Sequence, residues 1–390
     1  MKMTSRERVL RQINGQSVDR VPVEFGGFIS GIVEGTKNSI AEGPPYGVRA
    51  LYEYCGIKDY AEPAIAPSLS CVTNLDERLY ERLGSDVWHT FFGGHPFTVS
   101  NDGKYLYDMY GLVLQADGFY YSFPDSLTPL HDADSIDEVK NYNKWPDPTD
   151  PIFLSNVIES VTNYHENTDK AVSLFPGYPA LIFHMYAWLR GFDKFLTDMY
   201  VNKKLYCYLA DKITDIALEI CRQVLPKVGA KADMILYGDD MGMQTQALMS
   251  VEDYRAMVKP WSKRWVTEIK NILPNVKVQY HTCGSIFALI PDMIDCGFDI
   301  INPIQPLATN MEAWRLKKEF GNRVTLHGGI DIQRLVPFGT VSEIKHYVKT
   351  QLSLMEGSRY ILACSHNIEP ETPPENIVAV FDAVREYYGD

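Results

Sequence analysis

Short apolar runs recur along this 390-residue chain, and each is followed by a polar or glycine-rich turn and then by a helical pattern. This alternation is typical of parallel strands joined by crossover helices. Eight such runs occur, at residues 21–25, 87–92, 171–175, 234–237, 276–280, 299–302, 324–327 and 360–364. Because eight parallel strands close a (β/α)8 barrel, the sequence predicts the α/β class and a single TIM-barrel domain over residues 1–390.

One segment departs from this alternation. Residues 105–123 contain alternating apolar positions with Asp-Gly turn signals, which predicts a β-hairpin excursion. The Trp-Pro-Asp-Pro stretch at 145–148 then has the composition of a connector. We therefore expect an N-terminal elaboration at residues 1–150, whose first strands join the barrel, and a main barrel body at residues 151–390.

Several helix boundaries are also visible in the sequence. The stretches Thr-Val-Ser-Glu at 340–343 and Thr-Pro-Pro-Glu at 372–375 match the capping box that begins many helices. The apolar spacing over residues 250–265 indicates one long amphipathic helix.

The composition excludes some classes of partner. Lys and Arg total 37 against 50 Asp and Glu, and no basic run is present, which argues against nucleic-acid binding. The seven cysteines are an odd number and widely scattered, as expected for reduced thiols. The start shows no signal-peptide core, and no stretch has the length of a membrane span. We expect a cytoplasmic protein without a membrane partner, and self-association into a homo-oligomer is compatible with these features.

Two strand ends carry residues that suit a metal ion. His281 and Cys283 follow the run 276–280, and Cys364 closes the run 360–364. Residues at i and i+2 of a strand share one face, so the pair can converge on one point. Imidazole and thiolate ligands suit zinc, and three protein ligands leave a fourth position open for chemistry. The alternative is that each cysteine is a small buried apolar residue.

Acidic residues at strand ends are candidates for catalysis. Asp239 and Asp240 form a turn just after the run 234–237, and Glu24 lies near the end of the first run. One of the aspartates could complete or orient a metal centre. Alternatively, both aspartates cap the following helix or accept hydrogen bonds from loop amides.

Other strand ends provide candidates for substrate binding. Asn302, Gln305 and His327 are polar residues at such positions, although His327 could also belong to a tight turn before two glycines. His366 could be a ligand, a neighbour of the ligands or an exposed residue.

Aromatic residues are frequent near the strand ends. Phe175 and Tyr178 could line a pocket for a flat aromatic ligand, although such residues more often belong to the core.

Five motifs spread over essentially the whole chain resemble the uroporphyrinogen decarboxylase superfamily. They are TSRERVL at 4–10, DRVPV at 19–23, DIINPIQ at 299–305, HGGID at 327–331 and PPENI at 373–377. The resemblance implies a (β/α)8 barrel. It also implies one of two activities, because the superfamily contains metal-free decarboxylases and zinc-dependent corrinoid methyltransferases.

The motifs favour the methyltransferase branch. The decarboxylases carry an Arg-Gln-Ala-Gly-Arg motif after the first strand, whereas residues 24–30 read EFGGFIS here, with no arginine to bind porphyrinogen carboxylates. The methyltransferases carry His-x-Cys and a distant Cys as zinc ligands, and the residues that match are His281, Cys283 and Cys364.

The resemblance therefore implies an O-demethylase methyltransferase component. It would move a methyl group from a small-molecule O-methyl donor, such as a phenyl methyl ether, to the cob(I)alamin of a partner corrinoid protein. The implied cofactors are Zn2+ and a corrinoid (cobalamin) carried by that partner.

Three alternatives remain open. The first is a methyl-corrinoid:thiol methyltransferase of the coenzyme M type, for which Arg190 and Arg334 are the cationic candidates to bind a sulfonate. The second is a metal-free uroporphyrinogen decarboxylase-like enzyme. The third is a non-catalytic protein that binds a tetrapyrrole or a corrinoid.

Overall fold

The computed structural model describes residues 2–26, 32–33, 46–66, 71–117 and 120–389. Its strands, numbered in chain order, are β1 (Ile65–Ala66), β2 (Cys71–Val72), β3 (Val87–Phe91), β4 (Thr98–Val99), β5 (Tyr105–Tyr107), β6 (Val113–Asp117), β7 (Tyr120–Ser122), β8 (Ala171–Phe175), β9 (Met234–Gly238), β10 (Lys277–His281), β11 (Ile300–Ile304), β12 (Thr325–Ile330) and β13 (Tyr360–Cys364).

The described helices are numbered in the same way. They are α1 (Ser5–Ile13), α2 (Val48–Tyr54), α3 (Glu77–Leu83), α4 (Ile136–Lys140), α5 (Val157–Asn167), α6 (Ile182–Arg190), α7 (Phe192–Val201), α8 (Lys203–Val228), α9 (Val251–Met257), α10 (Lys259–Ile272), α11 (Ile290–Cys296), α12 (Ala313–Phe320), α13 (Leu335–Phe338), α14 (Val341–Met355) and α15 (Pro374–Tyr388). No helix among the described residues has both the length and the apolar composition needed to cross a membrane.

A curved parallel sheet forms the centre of the fold. Its strands lie in the order β3, β8, β9, β10, β11, β12, β13, so each strand pairs with the next along the chain in this sheet. Seven of the eight predicted apolar runs are these strands. Their residues are almost all buried because side chains fill the interior and helices cover the outside.

The first predicted run closes the sheet. Val23 forms a parallel bridge with Leu362 of β13, and Glu24 N donates to Leu362 O at 3.0 Å. On the other side, Asp86 N, just before β3, donates to Val23 O at 2.7 Å. The eighth strand is therefore a short bridge between β13 and β3, and the predicted (β/α)8 barrel is confirmed.

Helix α1 covers the amino-terminal end of the barrel. Val9 and Ile13 form one buried cluster with residues near the starts of the strands, including Val87, Ala171 and Met234. Because apolar packing fills the barrel at this end, we expect the active site at the carboxyl-terminal end of the strands.

The predicted hairpin excursion is confirmed as part of a larger antiparallel sheet. Strands β4, β5, β6 and β7 pair in that order. Residues 118–119, between β6 and β7, lie outside the described residues. The division of the chain near residue 150 stays a prediction.

Two helix predictions were wrong in detail. The helix predicted over 250–265 is interrupted at Val258, because Pro260 lacks an N–H group and its ring clashes with a carbonyl one turn earlier. Thr372 does not cap α15, which instead begins after Pro373 without a side-chain cap, since prolines leave fewer amide groups to satisfy. The capping box between Thr340 and Glu343 is confirmed.

Candidate metal centre

Three potential metal ligands meet at the carboxyl-terminal end of the barrel. One ligand atom each from His281, Cys283 and His366 lies within 4.8 Å of the others. His281 Nε2 is 3.5 Å from Cys283 Sγ, and the rings of His281 and His366 meet edge to face at 5.4 Å. His281 ends β10 and His366 follows β13, so strands that are not neighbours bring the group together.

The chemistry of this group fits zinc. Burial lowers the pKa of His281 to about 3, which keeps the imidazole in its neutral, ligating form. Burial, together with the nearby Asp240 carboxylate, raises the pKa of the Cys283 thiol well above its usual value. Such a thiol ionises when a cation binds to it. Cys283 and His366 are partly exposed, so an ion held there would be accessible to a substrate.

Cys364, the third ligand expected from the sequence, lies outside this group in the described part of the chain. It is the last residue of β13, it is buried, and burial raises the pKa of its thiol to about 12. His366 stands two residues further along the chain. The role of Cys364 as a ligand stays a prediction.

The two predicted aspartates have different surroundings. Asp239 is completely buried, and its Oδ1 accepts the N–H groups of Phe183 and His184 at 2.9 and 2.8 Å. Both amides belong to the first turn of α6, and Tyr237 donates to Oδ2 at 2.7 Å. Asp239 thus caps α6, which precedes it in the chain, rather than the following helix that we considered as the alternative, and a catalytic role for Asp239 stays a prediction.

Asp240 faces the group of ligands instead. Its side chain is 42% exposed, and its Oδ1 accepts the backbone N–H of Cys283 at 2.8 Å. His184 lies between the two aspartates, 3.2 Å from Asp239 and 3.7 Å from Asp240. Burial alone would lower the pKa of His184, but the two carboxylates outweigh it and raise the pKa to about 10. The position of Asp240 is compatible with a role at the site.

Glu24, Asn302 and His327 form a buried polar chain that leads to His281. His281 Nδ1 is 2.5 Å from Asn302 Oδ1, and Asn302 Nδ2 contacts His327 Nδ1. His327 Nε2 is 2.9 Å from Glu24 Oε2, and His89 Nε2 approaches Glu24 Oε1 at 3.1 Å. Burial would raise the pKa of Glu24, but His327 and His89 hold it well below its usual value.

The strand register explains why these side chains meet. His281 of β10 stands opposite Asn302 of β11. The pairing of β11 with β12 is irregular between Ile301 and Ile304, as in a bulge, which can turn a side chain away from its regular direction.

Gln305 supports the loop that carries Cys283. Its Oε1 accepts the backbone N–H of Gly284. The structure therefore places Gln305 next to the candidate metal centre, and substrate binding by Gln305 stays a prediction.

A cavity of about 590 Å³ opens at the carboxyl ends of β3 and β8. Phe175 and Tyr178, the two aromatic residues predicted to bind substrate, both line it, and Tyr110 meets Tyr178 edge to face at 5.4 Å. His89 also lines this cavity while it contacts Glu24, so the polar chain reaches the cavity wall.

From the sequence we did not predict a functional role for His89, His184 or Asp108. His89 is a polar residue inside a predicted apolar strand, and that exception was a usable signal. His184 lies in the first turn of a helix and Asp108 in a loop, and no local pattern marks either position.

Asp108, in the wall of this cavity, is expected to make the stability of the protein depend on pH. Its Oδ1 accepts the N–H groups of Tyr110 and Leu112 at 2.9 and 2.7 Å, yet burial raises its pKa to about 6 from 3.8. The folded state therefore binds the proton more tightly than the unfolded state, and stability falls as pH rises from about 4 to about 6. Asp108→Asn keeps the acceptor but cannot ionise, so we expect it to lack this component, which is on the order of 2 kcal/mol. Urea unfolding of both proteins between pH 4 and 7 measures the difference, and parallel profiles would contradict the prediction.

Comparison with known proteins identifies the family. Residues 104–387 match the family model described as uroporphyrinogen decarboxylase (URO-D). The chain belongs to the uroporphyrinogen decarboxylase family. The resemblance found in the sequence motifs is therefore confirmed.

Relatives in this URO-D family include enzymes of two kinds. The methylcobamide:CoM methyltransferase MtaA of Methanosarcina barkeri is 30% identical over 161 residues, covering 41% of this chain and 44% of the relative. The uroporphyrinogen decarboxylase of Chlorobaculum tepidum is 27% identical over 192 residues, covering 48% and 51%. The chain spans about half the length of the curated relatives that it matches.

A solved structure agrees with the barrel over its full length. A methyltransferase from Methanosarcina mazei superimposes with a TM-score of 0.64 at 21% identity, covering 99% of this chain and all of the other. At this identity, the similarity shows that the two proteins share the URO-D fold.

Proposed function

We propose that the protein is a zinc-dependent methyltransferase that transfers a methyl group from an O-methyl donor, such as a phenyl methyl ether, to the corrinoid of a partner protein. The observation that carries this proposal is the convergence of His281, Cys283 and His366 at the open end of the barrel. His281 and Cys283 would hold the ion, together with Cys364 or His366. A bound zinc ion would supply Lewis acidity.

The surroundings of this group argue against a tetrapyrrole decarboxylase. Such a substrate carries several carboxylates, which need cationic partners. Here the end of the first strand carries Glu24, which is already held by His327 and His89, and Asp240 adds a second carboxylate beside the candidate centre. Both carboxylates are hydrogen-bond acceptors, so neither offers the cation that such a substrate needs.

The chain's own residues would position the reactants. The neutral imidazole of His281 presents Nε2 towards Cys283, and Asp240 holds the loop of Cys283 through its backbone N–H. The aromatic wall around Phe175 and Tyr178 would orient a planar ring and exclude water from it. The methyl group would leave the ether oxygen for the cobalt of the partner's cob(I)alamin, and the phenolate would be released.

An assay with the intact protein tests the proposal. The zinc-loaded chain is mixed with a reduced corrinoid protein and, in turn, with several methoxyaromatic compounds, and methyl-cobalt formation is followed by its absorption spectrum. We expect methyl-cobalt with at least one methoxyaromatic and none with the matching phenols. Absence of methyl-cobalt with every donor, while zinc is bound, would contradict the O-methyl specificity.

Transfer of a methyl group from methyl-corrinoid to a thiol is the second candidate, and the similarity to MtaA favours it. A thiol such as coenzyme M carries a sulfonate and needs a cation. Arg190, one of the two candidates from the sequence, is not available, because it is buried in an ion pair with Asp198 at 2.5 Å and bonds to the carbonyl of Ala133. Arg334 is exposed. Methyl-thioether formation from methyl-corrinoid and coenzyme M would support this second candidate.

A further inference from the structure

A continuous chain of four polar side chains crosses the barrel interior from Glu24 to His281. Glu24 contacts His327, His327 contacts Asn302, and Asn302 contacts His281. Each of the four is at most 3% exposed, so water does not replace these contacts. Buried hydrogen-bonding groups of this kind must match donor to acceptor at every step.

Glu24 determines which atom donates and which accepts at each hydrogen bond of this polar chain. An ionised carboxylate can only accept hydrogen bonds, so the proton of His327 lies on Nε2, which faces Glu24. His327 Nδ1 is then an acceptor and receives the Nδ2–H of Asn302.

The side-chain amide of Asn302 connects the hydrogen bond of His327 with that of His281. With its Nδ2 donating to His327, its Oδ1 is left to accept from His281 Nδ1, 2.5 Å away. The proton of His281 therefore lies on Nδ1, and the lone pair lies on Nε2, the atom 3.5 Å from Cys283 Sγ.

We propose that Glu24 is a positioning residue that sets, through His327 and Asn302, the tautomer of His281 in which Nε2 carries the lone pair that binds a metal ion. This inference rests on the metal centre of the proposed function. It gives Glu24 a role at a distance from the reacting atoms, in place of the direct catalytic role expected from the sequence.

Glu24→Gln is expected to exchange donor and acceptor at every hydrogen bond between residue 24 and His281. A glutamine can donate its amide N–H to His327 Nε2, which moves the proton of His327 to Nδ1. The amide of Asn302 then turns over and donates to His281 Nδ1, and the proton of His281 moves to Nε2. We expect zinc affinity to fall by about 10–100-fold, the range found when partners of metal ligands are removed.

Asn302→Asp should rescue that variant. Aspartate has nearly the shape of asparagine but only accepts, so it keeps the proton of His281 on Nδ1 whichever way His327 points. In the double variant Glu24→Gln/Asn302→Asp we expect zinc affinity within about threefold of the wild type. A purely structural role for Glu24 would not be restored by a change at Asn302.

The tautomers can be read without any metal. Nitrogen NMR of the zinc-free protein with ring-labelled histidine distinguishes Nδ1–H from Nε2–H, and His281→Gln and His327→Gln assign the two signals among the nine histidines. In the wild type we expect Nδ1–H for His281 and Nε2–H for His327. A proton on Nε2 of His281, or on both nitrogens of His327, overturns the inference even if Glu24→Gln fails to fold.

His89→Gln is the matched control. His89 contacts the other oxygen of the same carboxylate and lies outside the path to His281. We expect this variant to keep the tautomer of His281 and to bind zinc within about twofold of the wild type.

Zinc titration of the wild type separates the two possible failures. A wild type that binds no zinc contradicts the proposed function. Zinc binding by the wild type with an unchanged affinity in Glu24→Gln overturns only the role of Glu24.

Discussion

Cys283→Ser is expected to lose tight zinc binding, and methyl transfer with it. The serine hydroxyl is a hard and weakly acidic ligand, so it cannot replace a thiolate at the point where His281 and His366 converge. Since loss of a partner of a ligand already costs about 10–100-fold in affinity, loss of a ligand itself should exceed about 100-fold. Metal analysis after dialysis, followed by competition with a chelator, measures the effect.

Cys207→Ser is the control for this substitution. Cys207 is also partly exposed, but it lies in helix α8, away from the strand ends. It should keep about one zinc ion per chain. Full zinc content in Cys283→Ser would show that the His-x-Cys pair does not hold the metal.

The same measurement decides between Cys364 and His366. We expect Cys364→Ser to lose zinc as Cys283→Ser does, because the family resemblance matches Cys364, and not His366, to the third zinc ligand. His366→Gln should then cost less than about tenfold, as a neighbour of the ligands would. The opposite result would make His366 the third ligand and Cys364 a buried apolar residue.

Asp86→Ala is expected to lower the free energy of unfolding by about 3–5 kcal/mol, the cost of removing one partner from a buried ion pair. Asp86 is completely buried, and its carboxylate meets Arg8 at 2.7 Å and Arg20 at 2.8 Å. It also accepts the backbone N–H of Val23 at 2.8 Å, so it ties the short first strand to the sheet. The alanine variant leaves Arg8 buried without this charge and weakens the closure of the barrel.

Urea denaturation of the wild type and Asp86→Ala measures this effect. Asp382→Ala is the control, because Asp382 pairs with Arg82 at 3.2 Å but is 32% exposed. An exposed pair contributes at most about 1 kcal/mol. Equal losses in the two variants would show that Asp86 does not hold the first strand in place.

The sequence alone was sufficient for the barrel and for two of the three residues that form the candidate centre. Strands and helices follow local periodicity, so the apolar runs marked the strands even where the first one is only a short bridge at Val23. His281 and Cys283 could be paired because residues two apart on an extended segment share a face. The family motifs then pointed to the chemistry, and the match over residues 104–387 confirmed the family.

The tertiary structure decided which distant side chains meet. Glu24 and His327 are 303 positions apart, and no local pattern connects them. Likewise, the structure separates Asp239, which caps a helix, from Asp240, which faces Cys283, although the two are adjacent in sequence. Sequence periodicity places a residue on an element and on a face, whereas barrel closure and strand register determine its partners across the interior. The buried polar chain from Glu24 to His281 therefore forms only in the folded barrel.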